Sequence, residues 1–427
     1  MKKVFFKSHF LTASLIAFLV FQNCSKVEKT PTPATSTPAV VLPPAINPSP
    51  INSVFKHPGL LVSRSQIDFI KDKIKLGEEP WKTAFANLKS SKYSSLTYAY
   101  KPFTNVECGS YNNPNVGCNN HVEDGSAVYC YSLLYIFTNE EKYAIKAVEI
   151  INAWSAVYEK NTNSNANLVV SWATPWFVNG AELLKSYYPG WKKEDETQFI
   201  KMLDKFLPYI LNEFSAGNNW IQSAIEAHFA IAVFKDDKIL FDKAVERWKT
   251  RVNTYIYQTT DGPKPINTLN KTDAQMEAIW RSTSTGTIYV NGLCQETCRD
   301  LGHLGLGFNS MMYAAEIAYQ QNVDLFSLEK KRITDLMELH AAWMTGTVKV
   351  PSTICGGVIK VSEPDVEGIK VGVGGGQTPW DIAYNHFHDR LKFDLPNTEK
   401  MLFKSRPQSI ARWVSKGETL THAGRAF

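Results

Sequence analysis

Glu296, Arg299, Asp300 and His303 follow one another at intervals of three, one and three residues, where a polar Asn291-Gly292 turn gives way to an apolar helical pattern. On a helix these four would fall within roughly 100° of arc on one face. Two carboxylates, a guanidinium and an imidazole would then converge where the rest of the segment is to be buried. Charges in such a place are paired, hydrogen-bonded or used. A guanidinium can hold a carboxylate by two parallel hydrogen bonds, and an imidazole can take or give a proton near neutral pH. The competing reading is an Arg–carboxylate network that merely ties helix ends together.

Other residues could serve the same chemistry. Asn219, with Trp220 beside it, stands at the mouth of an apolar helix, where its amide can reach a ligand carboxylate or else cap the helix. His228 lies nine residues beyond, on the opposite face, and reads as a core histidine. Trp172 and Trp176 flank Pro175 and can stack on a sugar or pack in a core. His386 and His388 form an HxH pair beside Asp389, but no third ligand stands at a recognisable spacing. Neither CxxC nor HExxH occurs. No metal and no other cofactor is expected.

The elements that must position these residues read as helices of period near 3.6: Ser65–Leu76, Asp124–Phe137, Lys142–Tyr158, Thr174–Tyr187, Asp195–Phe214, Ile221–Phe234, Lys238–Tyr255, Gly305–Gln321 and Lys330–Met344. Short β-like stretches remain at Thr347–Val350, Val358–Val361 and Gly368–Val373. Helix after helix with short Gly-, Asn- and Pro-bearing connections predicts an all-α domain of paired hairpins with minor β-strands.

Residues 1–23 read as a signal peptide, with three early Lys and an apolar run from Leu11 to Phe21 that is short for a membrane span. Cys24 follows at the place of a lipoprotein acylation site. Gln22 and Asn23 make the lipobox a relaxed one, and ordinary cleavage with a free Cys24 is the alternative. Residues 24–56 are a Pro/Thr-rich tether that cannot bury enough apolar surface to fold. Residues 57–427 are expected to form one continuous domain, acting as a monomer. The net charge of +5 over 427 residues argues against a nucleic-acid binder, yet permits a basic cleft for a polyanion. Aromatics at 12% suit a groove in which sugar faces stack, as they also suit a large helical core. In an exported chain, Cys108 and Cys118 can bridge the Gly/Asn/Pro-rich loop between them, while Cys294 and Cys298 read as a strained bridge or two free thiols.

The segment QETCRDLGHLGLGFNSMMYAAEIAYQQNVDLFS resembles the Q-E-x-x-R-D-x-x-H segment of the alginate lyase superfamily. HPGLLVSRSQIDFIKDKI resembles its opening helix and VECGSYNNPNVGC its early loop; AVEIINAWS, SWATPWFVNGAELL, SAGNNWIQSAIEAHFAIAVF and IAYNHFHDR also match, in family order, from His57 onward. The resemblance implies an incomplete α/α toroid with a groove across one end. It implies a lyase that cleaves an acidic, uronic-acid-containing polysaccharide such as alginate or glucuronan by β-elimination, and a membrane-anchored lipoprotein facing periplasm or cell surface.

β-Elimination needs three things: neutralisation of the uronate carboxylate, a base for the C5 proton and a proton for the leaving oxygen. Arg299 stands at the family's characteristic Arg and Asn219 at the second Asn of its Asn-Asn-His motif; both would meet the carboxylate. His303 is the first choice for moving the proton. The family's catalytic Tyr, seven residues after the Arg, is Leu306 here, so Tyr289 is the expected substitute, and Trp220 replaces the family's His. Glu296 and Asp300 would orient Arg299 and His303. His386, with Asn385 supporting it, would line the groove, where Trp220, Trp172 or Trp176 would stack on sugar. The rival readings are a glycoside hydrolase on the same toroid and a non-catalytic glycan-binding lipoprotein.

Overall fold

Ser63 caps the first long helix: its hydroxyl accepts from the Gln66 N–H at 3.3 Å while Gln66 Oε1 accepts from the Ser63 N–H at 2.8 Å. The computed structural model describes residues 55–213, 218–268, 270–280, 288–360, 380–408, 410 and 415–424. The described residues lie within one compact unit, Asn52–Phe427. Cys24 and the proposed signal peptide fall outside them, as do residues 368–373.

The long helices are α1 (Arg64–Leu76), α2 (Trp81–Ser90), α3 (Cys118–Thr138), α4 (Glu141–Val157), α5 (Ala166–Tyr187), α6 (Lys193–Ile210), α7 (Asn219–Phe234), α8 (Lys238–Tyr255), α9 (Leu301–Gln320), α10 (Lys330–Met344) and α11 (Pro396–Ser405). The most extensive packing runs from α3 to α5, α5 to α7 and α7 to α9. Against this inner row lie α4 on α3, α6 on α5 and α8 on α7.

The sequence decides which layer a helix joins. In α7 every residue except Trp220 is buried, as a helix apolar on all sides must be. In α6 the buried apolar residues are Phe199, Met202, Leu203, Phe206 and Ile210, a single stripe that marks an outer helix. Alternation of inner and outer helices makes the chain an all-α, incomplete α/α toroid.

Strands occupy other places than expected. β1 (Asn105–Cys108) pairs antiparallel with β2 (Asn115–Val116) and parallel with β3 (Lys160–Thr162). Residues 347–350 and 358–360 are irregular. Cys108 and Cys118 form a disulfide across the β1–β2 loop. The second bridge joins Cys298 to Cys355 and leaves Cys294 a buried free thiol, which corrects the pairing considered for Cys294 and Cys298.

Candidate active site

The turn from Asn291 to Asp300 is clamped on several sides before it delivers its charges. Gly292 has φ +84°, and a Cβ there would lie 2.4 Å from the Asp335 carbonyl oxygen, so the turn approaches α10 as only glycine allows. Gln295 N–H donates to the Tyr255 carbonyl at the end of α8 at 2.9 Å. Thr297 Oγ1 shares a hydrogen bond with His340 Nε2 of α10 at 2.9 Å. Cys298 is tied to Cys355, and the Leu301 N–H reaches the Lys360 carbonyl at 3.0 Å.

Helix α9 begins only at Leu301, so Glu296 and Arg299 precede it. The expectation of one continuous helix face is corrected: the four residues meet because the turn folds back on the helix start. Asp300 is the N-cap. Its Oδ1 accepts from the His303 N–H at 2.8 Å, and its Oδ2 meets His303 Nδ1 at 2.7 Å. Burial alone would raise the Asp300 carboxyl, but the His303 hydrogen bonds and Arg299 hold it below the ordinary carboxylate value. One imidazole nitrogen is thus fixed, and Nε2 is the atom left to exchange a proton.

Arg299 lies beside both carboxylates. Its guanidinium lies 3.7 Å from Glu296 Oε2 and 4.0 Å from Asp300 Oδ2, and its side chain keeps 19% of its surface exposed. Glu296 also accepts from the Asn219 N–H at 3.3 Å. Burial raises the Glu296 carboxyl, against the pull of Arg299, so it sheds its proton less readily than an exposed glutamate.

Asn219 belongs to this group through the first turn of α7. The cap of that helix is Asn218, whose side chain accepts from the Trp220 N–H at 3.1 Å, so Asn219 is not spent on capping. Its Oδ1 is buried with no hydrogen-bond partner among the described residues. Trp220 is half-buried next to it.

The remaining expected site residues are placed as follows. Tyr289 packs edge-on to Trp280 and tilted against Tyr257, beside the small apolar cluster of Leu293, Trp343 and Ile354. Trp172 is half-buried. Trp176 is a core residue, packed on Tyr129, with Lys416 Nζ 5.1 Å from its ring. A groove wall was expected at His386 and Asn385, and the structure corrects this. His386 is 1% exposed, stacked on Phe326 at 4.2 Å and bonded through Nδ1 to Arg390 at 3.2 Å. Asn385 is buried and donates to the His422 carbonyl at 2.9 Å. The reason is a π-helical turn, Asn385–Arg390, which turns these side chains into the core. His228 is buried, and desolvation together with Arg247 lowers its pKa to about 3, as suits a neutral core imidazole.

Sequence reasoning missed Tyr255. The last residue of α8 reads as one more apolar anchor, yet its hydroxyl is hydrogen-bonded to the Cys294 thiol and lies in the field of Glu296 and Arg299. Among the described residues no group of three or more His, Cys, Asp or Glu is arranged to hold a metal, and no helix is long and apolar enough to cross a membrane.

The family model described as alginate lyase matches residues 109–350. Alginate lyase A1-III of Sphingomonas species A1 is similar in structure, with a TM-score of 0.58 at 12% identity over 86% of this chain and 98% of that one. Alginate lyase A1-III complexed with a tetrasaccharide gives 0.59 at 14% identity, over 87% and 98%. An alginate lyase from Bacteroides ovatus gives 0.55 at 12% identity, over 86% and 99%. At such identities these structures speak to the fold. A comparison with curated proteins found no match.

Proposed function

Because the chain belongs to the alginate lyase family, we propose that it is a polysaccharide lyase that cleaves an acidic, uronic-acid-containing polymer such as alginate or glucuronan by β-elimination. The observation that carries this reading is the pairing of Asp300 with His303 Nδ1 at 2.7 Å beside a partly exposed Arg299. It provides in one place a positive group for the substrate carboxylate and an imidazole nitrogen free to move a proton.

The C5 proton of a uronate is weakly acidic while the neighbouring carboxylate keeps its full charge. Arg299, with the amide of Asn219, would draw that charge off and stabilise the enolate-like species as it develops. His303 Nε2 would take the C5 proton, and Asp300 would stabilise the imidazolium that results. Glu296 and Asp300 are both engaged with their neighbours, which suits support rather than the pair of carboxylates astride a glycosidic bond that hydrolysis needs. We further propose that the chain is exported, is held at a membrane through acylated Cys24, and works as a monomer. The test is incubation with a panel of acidic polysaccharides, read by ultraviolet absorbance of the unsaturated uronate product. Absorbance rising with none of them would reject the assignment.

A further inference from the structure

Tyr255 combines two features that a purely structural tyrosine rarely shows. Its ring is wholly buried, yet its hydroxyl has no nitrogen or oxygen partner among the described residues. Its near neighbour is the Cys294 thiol, a weak hydrogen-bonding group. A buried hydroxyl left unpartnered costs about 1–3 kcal/mol against water, and phenylalanine would fill the same space without that cost.

The surroundings make room for the hydroxyl in particular. A Cβ at Gly307, in the interior of α9, would lie 2.1 Å from Tyr255 Oη and 3.2 Å from Asn219 Cα. Glycine inside a helix costs roughly 1 kcal/mol relative to alanine, and here it is what lets the phenol oxygen press between the first turn of α7 and the second turn of α9. The hydroxyl therefore adjoins the residue whose own Oδ1 is buried and unpartnered, Asn219, and has Glu296 and Arg299 as electrostatic neighbours. A phenol whose partner is a weak thiol and a buried, unpartnered amide oxygen thus stand by the same helix start, and a sugar hydroxyl is a group that could bond to either.

We infer that Tyr255 is the proton donor to the leaving C4 oxygen, in the role for which the chain has Leu306 where a tyrosine was expected. The inference rests on the β-elimination reading. His303 takes the C5 proton, the C5–H electron pair becomes the C4–C5 double bond, and the C4–O pair departs with the oxygen, which receives the phenolic proton. The phenolate then recovers a proton from the His303 imidazolium, directly or through water, so both residues return to their starting states and the net transfer is C5–H to O–H. Burial, with the nearby Cys294 and Glu296, keeps the phenol protonated far above its ordinary range, so Tyr255 enters the step as an acid.

The experiment is Tyr255→Phe on a polyuronate that the wild-type chain cleaves. We expect kcat to fall by roughly 10²–10⁴-fold, the scale of a lost general acid, with KM unchanged and an unfolding midpoint equal to or above wild type. A synthetic uronate whose C4 substituent leaves as a stable anion should restore most of the lost rate. Full kcat on the polymer, a lowered unfolding midpoint, or no rescue by the better leaving group would each overturn the assignment while leaving the lyase reading intact. A wild-type chain that cleaves no polyuronate overturns both.

Discussion

Two clusters in this chain use the same side-chain types and treat them in opposite ways. In the core, Arg390, its side chain 4% exposed, meets Glu316 with two hydrogen bonds of 2.8 Å, while buried His386 adjoins Arg390 and buried His422 adjoins Glu316. At the start of α9, Arg299 lies 3.7 and 4.0 Å from its two carboxylates and remains partly exposed. The first arrangement is closed: the guanidinium fork is filled and Glu316 is held well below the ordinary carboxylate value despite its burial, chiefly by Arg390. The second is open to solvent, with a guanidinium side chain that keeps 19% of its surface exposed and an imidazole anchored through Nδ1. A buried, filled fork has no surface left for a ligand; a guanidinium that reaches solvent can still meet a ligand carboxylate.

The largest expected effects break the open cluster. His303→Ala should cut turnover by roughly 10²–10⁴-fold with KM little changed, the signature of a lost proton-transfer group. Arg299→Ala should reduce kcat and also raise KM, because it removes a contact made by bound substrate that strengthens as negative charge develops. Steady-state kinetics on one cleaved polymer separates the two. Equal and small effects from both variants would make the open cluster structural after all.

Opening the closed cluster should act on stability instead. Glu316→Ala leaves Arg390 buried without its partner, and removing one member of such a pair costs about 3–5 kcal/mol. Urea unfolding should show this loss. A variant as stable as wild type would mean that the network is not the anchor the geometry suggests.

A smaller effect distinguishes the clusters by pH. Burial, followed by the charge of Arg390, lowers the His386 pKa to about 4, against the opposing pull of Asp324 and Glu316. Between that value and the unfolded value near 6.5, the unfolded chain binds a proton that the folded chain refuses. The resulting penalty is absent above about pH 6.5 and grows as pH falls toward about 4. His386→Gln should therefore flatten the loss of stability in that window, by up to about 1.4 kcal/mol per pH unit. Urea midpoints measured across the window would show an unchanged slope if His386 did not stay neutral in the fold.

The fold was more legible than the site. α8 and α10 begin and end where their apolar periodicity does, because their core faces are plain stripes. α3 and α5 start earlier than expected, at Cys118 and Ala166. In α3 the added turns, residues 118–123, bury His121, a polar residue that hides a buried face from any hydrophobic pattern. The strands were missed because β1 owes its place to parallel pairing with β3 more than fifty residues away. At the site, Glu296, Arg299, Asp300 and His303 were visible as a run of residue types, and the structure does bring them together with Asn219. What did not show was contact across elements: the link from Cys298 to Cys355, the inward turn of His386, and Tyr255 facing Gly307. Only the interior glycine hinted at the last of these, and its partner lies on another helix.

Water is the reagent that separates elimination from hydrolysis at the Arg299–His303 cluster. The decisive measurement is digestion of a polyuronate in oxygen-labelled water, with mass analysis of the fragments. Elimination should give unsaturated new ends with no label beyond slow chemical exchange in the wild-type chain, and His303→Ala should give few new ends of any kind. Saturated ends carrying one labelled oxygen would contradict it.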